Sequence, residues 1–143
     1  MTKRILIIDD NPDDLEAIER FVAREDADVR GVTDSMQAEA AFQEFEPDLV
    51  LLDLHMPAPD GVEILRRLAP TRSRLGFLPV IVLTGDHGPR ARDVALMLGA
   101  NDFLTKPLDP TEVLMRVRNM LRTRQLFVDL ANANEALERR AGI

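Results

Sequence analysis

Three carboxylates, one hydroxyl and one ammonium stand at the ends of short apolar runs in this chain. Asp9 and Asp10 close the run at residues 5–8, Asp53 closes 49–52, Thr84 closes 80–83, and Lys106 follows 101–104. If the runs are parallel strands, these groups converge outside the carboxyl ends of the strands, where open α/β sheets bind ligands. Crowded carboxylates repel one another and raise one another's pKa unless a cation neutralises them. Oxygen donors without His or Cys suit a hard ion, and Mg²⁺ characteristically takes one or two carboxylates, keeps waters and leaves room for phosphate oxygens. Beside a fixed ammonium and a hydroxyl, such a centre fits phosphoryl transfer, where catalysis is mostly positioning and charge neutralisation. A carboxylate can itself be the nucleophile and form an aspartyl phosphate. Asp53, on a central run and followed by a turn, is the best placed of the three.

Residue usage singles out Lys106 independently. The chain has 16 arginines and only two lysines, Lys3 and Lys106. A compact point charge and a planar fork are not interchangeable, so a lysine here answers a specific need.

The elements that must position these groups alternate in type. The runs 5–8, 49–52 and 80–83 are apolar without polar alternation, as strands buried on both faces are. Weaker candidates at 27–32 and 101–104 make five. Between them lie helical periodicities: Leu15, Ile18 and Val22 after Pro12; Ala38, Ala41, Phe42 and Phe45 after Ser35; Ile64, Leu65 and Leu68 after Gly61. Val94, Ala95 and Leu98 follow Pro89, and Val113, Leu114, Val117 and Leu121 follow Pro110. Proline fits a first helical turn because that N–H has no partner inside the helix. Strands alternating with helices imply right-handed crossovers, hence a doubly wound α/β fold with helices on both faces of a parallel sheet. The stretch 70–79 reads as a long surface loop.

Composition narrows the classes. A chain of 143 residues, 45% hydrophobic, builds one core and an appendage. It has no cysteine, which removes disulfides, thiol nucleophiles and thiolate metal sites and agrees with a reducing compartment. The early apolar run is too short for a signal peptide or a membrane span, so the expected location is cytoplasmic, with no membrane partner. A net charge of -7 disfavours direct nucleic-acid binding. The charge is uneven: residues 1–110 hold 12 basic and 21 acidic groups, residues 111–143 hold 6 and 4. The carboxylates belong to the body and the C-terminal piece is a different kind of segment.

In order and spacing, these motifs resemble the receiver domain of two-component response regulators. Asp53-Leu-His-Met-Pro-Ala-Pro-Asp-Gly61 is similar to that family's phosphoacceptor loop, Ile7-Ile-Asp-Asp-Asn11 to its acidic pair, Thr84-Gly85 to its switch threonine, and Gly99-Ala-Asn-Asp-Phe-Leu-Thr-Lys-Pro107 to its lysine-proline loop. The resemblance covers roughly residues 3–125. It implies a flavodoxin-like sheet of order 2-1-3-4-5, a phosphorylated Asp53, and Mg²⁺ held by Asp9, Asp10, Asp53 and the backbone carbonyl of His55. It further implies Lys106 and Thr84 on the phosphoryl oxygens, a switch made of Thr84 and Phe103, and a cis peptide before Pro107. His55 and Asp86, two residues past Asp53 and Thr84, then flank the site and tune phosphoryl lifetime. Both histidines, His55 and His87, otherwise read as exposed loop residues. Phe103 lacks the hydroxyl of a tyrosine, and plain core is its competing reading.

The resemblance implies a signalling module, not an enzyme with an external product. A sensor histidine kinase or phosphotransfer protein would supply the phosphoryl group, and an output domain or partner would read the face of the fourth helix, fifth strand and fifth helix. The alternative is a Mg²⁺-dependent phosphatase of the haloacid-dehalogenase-like class, which wants a second aspartate where His55 stands and a cap domain. A flavodoxin-like cofactor binder is disfavoured because acidic groups would repel a flavin phosphate. Past Leu121, residues Leu126, Leu130, Ala133 and Leu137 continue at steps of four and three. Residues 1–124 are therefore expected to form the receiver, and 125–143 a helical extension or signalling linker suited to a weak homodimer.

Overall fold

The computed structural model describes residues 2–85 and 89–142. Five strands, β1 (Lys3–Ile8), β2 (Ala27–Val32), β3 (Leu49–Asp53), β4 (Val80–Thr84) and β5 (Asp102–Thr105), form one parallel sheet of order β2-β1-β3-β4-β5. Helices α1 (Pro12–Phe21), α2 (Ala38–Phe45), α3 (Gly61–Leu75), α4 (Pro89–Met97) and α5 (Pro110–Arg140) connect and cover it. This is the doubly wound architecture expected from the alternating pattern.

The unbroken apolar runs follow from burial on two sides. Successive side chains on a strand point to opposite faces. Leu6, Ile8, Val50, Leu52, Val80 and Val82 pack with α2, α3 and Ala95 of α4 on one face. Ile5, Ile7, Leu49, Leu51, Ile81 and Leu83 pack with α1 and α5 on the other. Each fully buried Leu or Ile contributes on the order of 1.5–3 kcal/mol, and β1, β3 and β4 carry most of them.

The stretch 70–79 departs from expectation: α3 runs through Pro70 to Leu75. Proline inside a helix removes one hydrogen bond and crowds the carbonyl four residues back. Here Pro70 is on the exposed side, where water can meet the freed carbonyl. The last turns are also pinned from outside, because the Arg72 guanidinium donates to Leu78 O at 3.0 Å, Gly99 O at 2.9 Å and Asn101 Oδ1 at 3.0 Å. Tertiary anchoring overrides the local rule.

The long last helix is present, spanning 31 residues. Val113, Val117 and Leu121 face the core. Further along, Phe127 packs beside Phe77 with centroids 6.1 Å apart, over Gly76, where a φ of 82° and the Phe127 ring leave no room for a Cβ. At 100° per residue, Leu126, Leu130, Ala133 and Leu137 point roughly 120–180° away from Leu121. The three leucines are each more than 60% exposed. The apolar stripe of the extension is therefore a second face, not a continuation of the buried one.

Candidate active site

Strand register brings the predicted groups together. Ile8 pairs with Leu52 and Thr84 with Thr105, so Asp9 lies beside Asp53 and Lys106 follows directly beyond the Thr84 pair. Asp9, Asp53 and Thr84 are buried, which is unusual for such side chains and is tolerated only where they are partnered. The partners are present. Asp9 Oδ1 accepts from Asn11 N–H at 3.0 Å, Asp53 Oδ1 accepts from His55 N–H at 3.1 Å, and Lys106 Nζ donates to Asp9 Oδ2 at 2.9 Å. Lys106 Nζ is also 3.5 Å from Asp53 Oδ2. The Lys106 N–H donates to Thr84 O at 2.7 Å, which seats the β5 end against β4.

Among the described residues, Asp9, Asp10 and Asp53 each offer an oxygen, all within 4.8 Å of one another. Two of these carboxylates are buried and Asp10 is exposed, so the cluster opens to solvent on one side. A hard cation that keeps part of its water shell fits this donor set.

Electrostatics follow from the crowding. Burial pushes the Asp53 carboxyl from 3.8 up to about 7; the His55 N–H opposes the rise, the Asp9 charge adds to it and Lys106 opposes it. Burial would depress Lys106, but the hydrogen bonds it donates to Asp14 and Asp9 and the charges of Asp9 and Asp53 outweigh it and hold the ammonium above its ordinary value. Lys106 is thus a permanent cation at neutral pH.

Two contacts were not foreseen from the sequence. Asp14, in the first turn of α1, lies 2.8 Å from Lys106 Nζ, nearer than any other carboxylate. His55 is exposed, as expected of a loop residue, yet its Nε2 sits 3.2 Å from Thr84 Oγ1. The only hint for Asp14 was helical spacing: three to five residues past Asp9 and Asn11, it returns to the side of the helix that faces the sheet edge. Asn11, not Asp10, caps α1, accepting from the N–H groups of Asp13 and Asp14. That leaves Asp10 free for the cluster.

The remaining predicted groups lie around this centre. Phe103 is half-buried, with the guanidinium of Arg92 4.9 Å and that of Arg116 5.9 Å from its ring centroid. The Lys106–Pro107 peptide is cis, and so is Ala58–Pro59. Asp86 and His87 lie outside the described residues.

Residues 5–118 match the family described as the response regulator receiver domain. The chain belongs to that family. Similar relatives include the response regulator PleD of Caulobacter vibrioides, 35% identical over 145 residues that span all of this chain and 31% of PleD. The DNA-binding response regulator MtrA of Mycolicibacterium smegmatis is 37% identical over 122 residues, 85% of this chain and 52% of MtrA. The chain spans about half the length, or less, of the curated relatives it matches first. Among solved structures, the OmpR/PhoB homologue DrrB of Thermotoga maritima superposes with a TM-score of 0.75 at 26% identity, over 86% of this chain and 54% of DrrB. A beryllofluoride-activated DrrB receiver domain superposes at 0.74, with 26% identity, over 85% of this chain and 99% of that domain. The match decides the choice left open by the residues: this is a receiver domain of two-component signalling, and the phosphatase reading is without support. Among the described residues no helix is long and apolar enough to cross a membrane.

Proposed function

We propose that this receiver takes a phosphoryl group from a phosphohistidine donor onto Asp53 and reports that event through the helices around its sheet. The observation that carries the reading is the placement of a buried carboxylate at the end of β3, with an acidic cation site on one side and Lys106 3.5 Å away on the other. Asp9, Asp10 and Asp53, with the His55 carbonyl, would hold Mg²⁺, which when bound supplies positive charge against the phosphoryl oxygens. An Asp53 oxygen attacks phosphorus as the bond to the donor nitrogen breaks. Lys106 and Thr84 give the new phosphoryl group an ammonium and a hydroxyl hydrogen bond, both on elements fixed by strand pairing. Phe103 then responds to the displacement of Thr84.

The proposed division places the receiver in residues 1–124 and a signalling linker in 125–143, in a cytoplasmic protein. A histidine kinase or phosphotransfer protein is the donor, and an output domain or partner reads the face of α4, β5 and α5. In this reading the domain catalyses its own phosphorylation and dephosphorylation but has no external product.

Incubation with Mg²⁺ and acetyl phosphate followed by intact mass should give a single phosphate adduct that is lost in Asp53→Asn. An adduct that survives this substitution, or steady turnover of many phosphate esters, overturns the reading. The exposed stripe Leu126, Leu130, Leu137 supports a second proposal, a parallel homodimer through the extension. Light scattering should find dimer in the wild type and a shift of at least tenfold in dissociation constant for Leu130→Glu with Leu137→Glu, since each buried leucine is worth roughly 1.5–3 kcal/mol. A monomer with and without phosphorylation ends that proposal.

A further inference from the structure

Lys106 has one contact too many for the role just described. An ammonium carries three N–H donors, and charge-assisted N–H···O bonds run at about 2.7–2.9 Å. Asp14 at 2.8 Å and Asp9 at 2.9 Å meet that range, whereas Asp53 at 3.5 Å does not. In the unphosphorylated protein the ammonium is therefore bonded to the two carboxylates that are not the phosphoacceptor. We infer that Asp14 is a positioning residue for Lys106, holding the ammonium back from Asp53 so that a phosphoryl group there must compete with Asp14 for it.

The inference rests on the reading of Asp53 as phosphoacceptor. Asp14 is well set for such a role. Its backbone is fixed in the first turn of α1 by the Asn11 cap, and its side chain is 31% exposed against 19% for Lys106, so the pair is partly shielded from water. Screening is then weaker than for a surface pair, and the hold has a measurable effect. The bland account is that an acidic residue in a first turn only complements the helix dipole. That account predicts a small change in stability and none in phosphoryl binding.

Beryllofluoride with Mg²⁺, which reproduces a phosphoryl group on a carboxylate, separates the two. On the full chain, Asp14→Asn should bind beryllofluoride about three- to tenfold tighter by calorimetry, the range expected for removing a partly shielded competing ion pair. Because the chain has two lysines, its lysine side-chain NMR spectrum holds two Nζ signals, and Lys3→Arg assigns them. In Asp14→Asn the resting Lys106 signal should move toward the position it takes in the beryllofluoride-bound wild type. Tighter binding together with the moved signal supports the inference. Either one without the other, or weaker binding, overturns it. Asp53→Asn is the separate control: if it still binds beryllofluoride, the phosphoacceptor reading has failed whatever Asp14 does.

Discussion

Gly61→Ala should cost about 3 kcal/mol or more and lower the melting temperature by roughly 10 °C. A Cβ at Gly61 would stand 2.5 Å from Leu54 Cα and nearer still to the Asp53 carbonyl oxygen, both of them backbone atoms. A flexible side chain could swing aside, but here the β3 end itself has to move. That end is tied down, since Leu54 N–H donates to Leu83 O at 3.0 Å and Gly61 N–H to Leu54 O at 3.2 Å. The strain therefore falls on the segment that carries Asp53, the proposed phosphoacceptor, and the adduct yield should drop along with stability. Gly85→Ala is the matched control. It makes the same chemical change next to Thr84, but among the described residues a Cβ there meets nothing within 4 Å, and a melting shift of only a few degrees is expected. Thermal unfolding followed by circular dichroism checks both; equal shifts would show that close backbone approach at Gly61 is not what that position requires.

The same contrast between local and tertiary causes explains what could be read from the sequence. Strands β1, β3 and β4 were legible because burial on both faces leaves no polar residue in their runs 5–8, 49–52 and 80–83, and the ends of those runs then predicted the meeting of Asp9, Asp53, Thr84 and Lys106. β2, whose residues are mostly half-buried or exposed, gave a weaker pattern. Pro70 misled because its local rule is sound, while two of the three acceptors of Arg72 that hold the end of α3, Gly99 O and Asn101 Oδ1, come from the loop after α4, far along the chain, and the third, Leu78 O, from the loop before β4. Asp14 was invisible for a related reason. One more acid in an acidic first turn carries no mark that a lysine 92 positions later will reach it. The His55 ring beside Thr84 was hidden likewise, since a position two residues past Asp53 says nothing of where its side chain turns.

Magnesium affinity should fall about tenfold for each pH unit below 7, a far steeper dependence than an ordinary aspartate site shows in that range. Burial and the neighbouring Asp9 charge put the Asp53 carboxyl near 7 in the folded protein, against 3.8 for its ordinary value. A proton and a cation then compete for the same oxygen between pH 5 and 7, where a normal carboxylate is already ionised. Calorimetric titration of Mg²⁺ across pH 5–8 measures the slope, and a flat profile would mean that Asp53 is ionised throughout. Metal-free stability supplies the thermodynamic counterpart. Because the folded pKa is raised, the folded state binds the proton more tightly than the unfolded chain, so this group's contribution is fully present below 3.8 and is lost as pH rises to about 7. In EDTA, Asp53→Asn should accordingly gain on the wild type as pH rises from 4 to 7 and hold that gain above it. Carboxylates outside the cluster are common to both proteins and cancel in the difference. The cost of an ionised, buried Asp53 is what cation binding relieves, so the destabilisation seen without metal and the affinity seen with it are two measures of one strained charge.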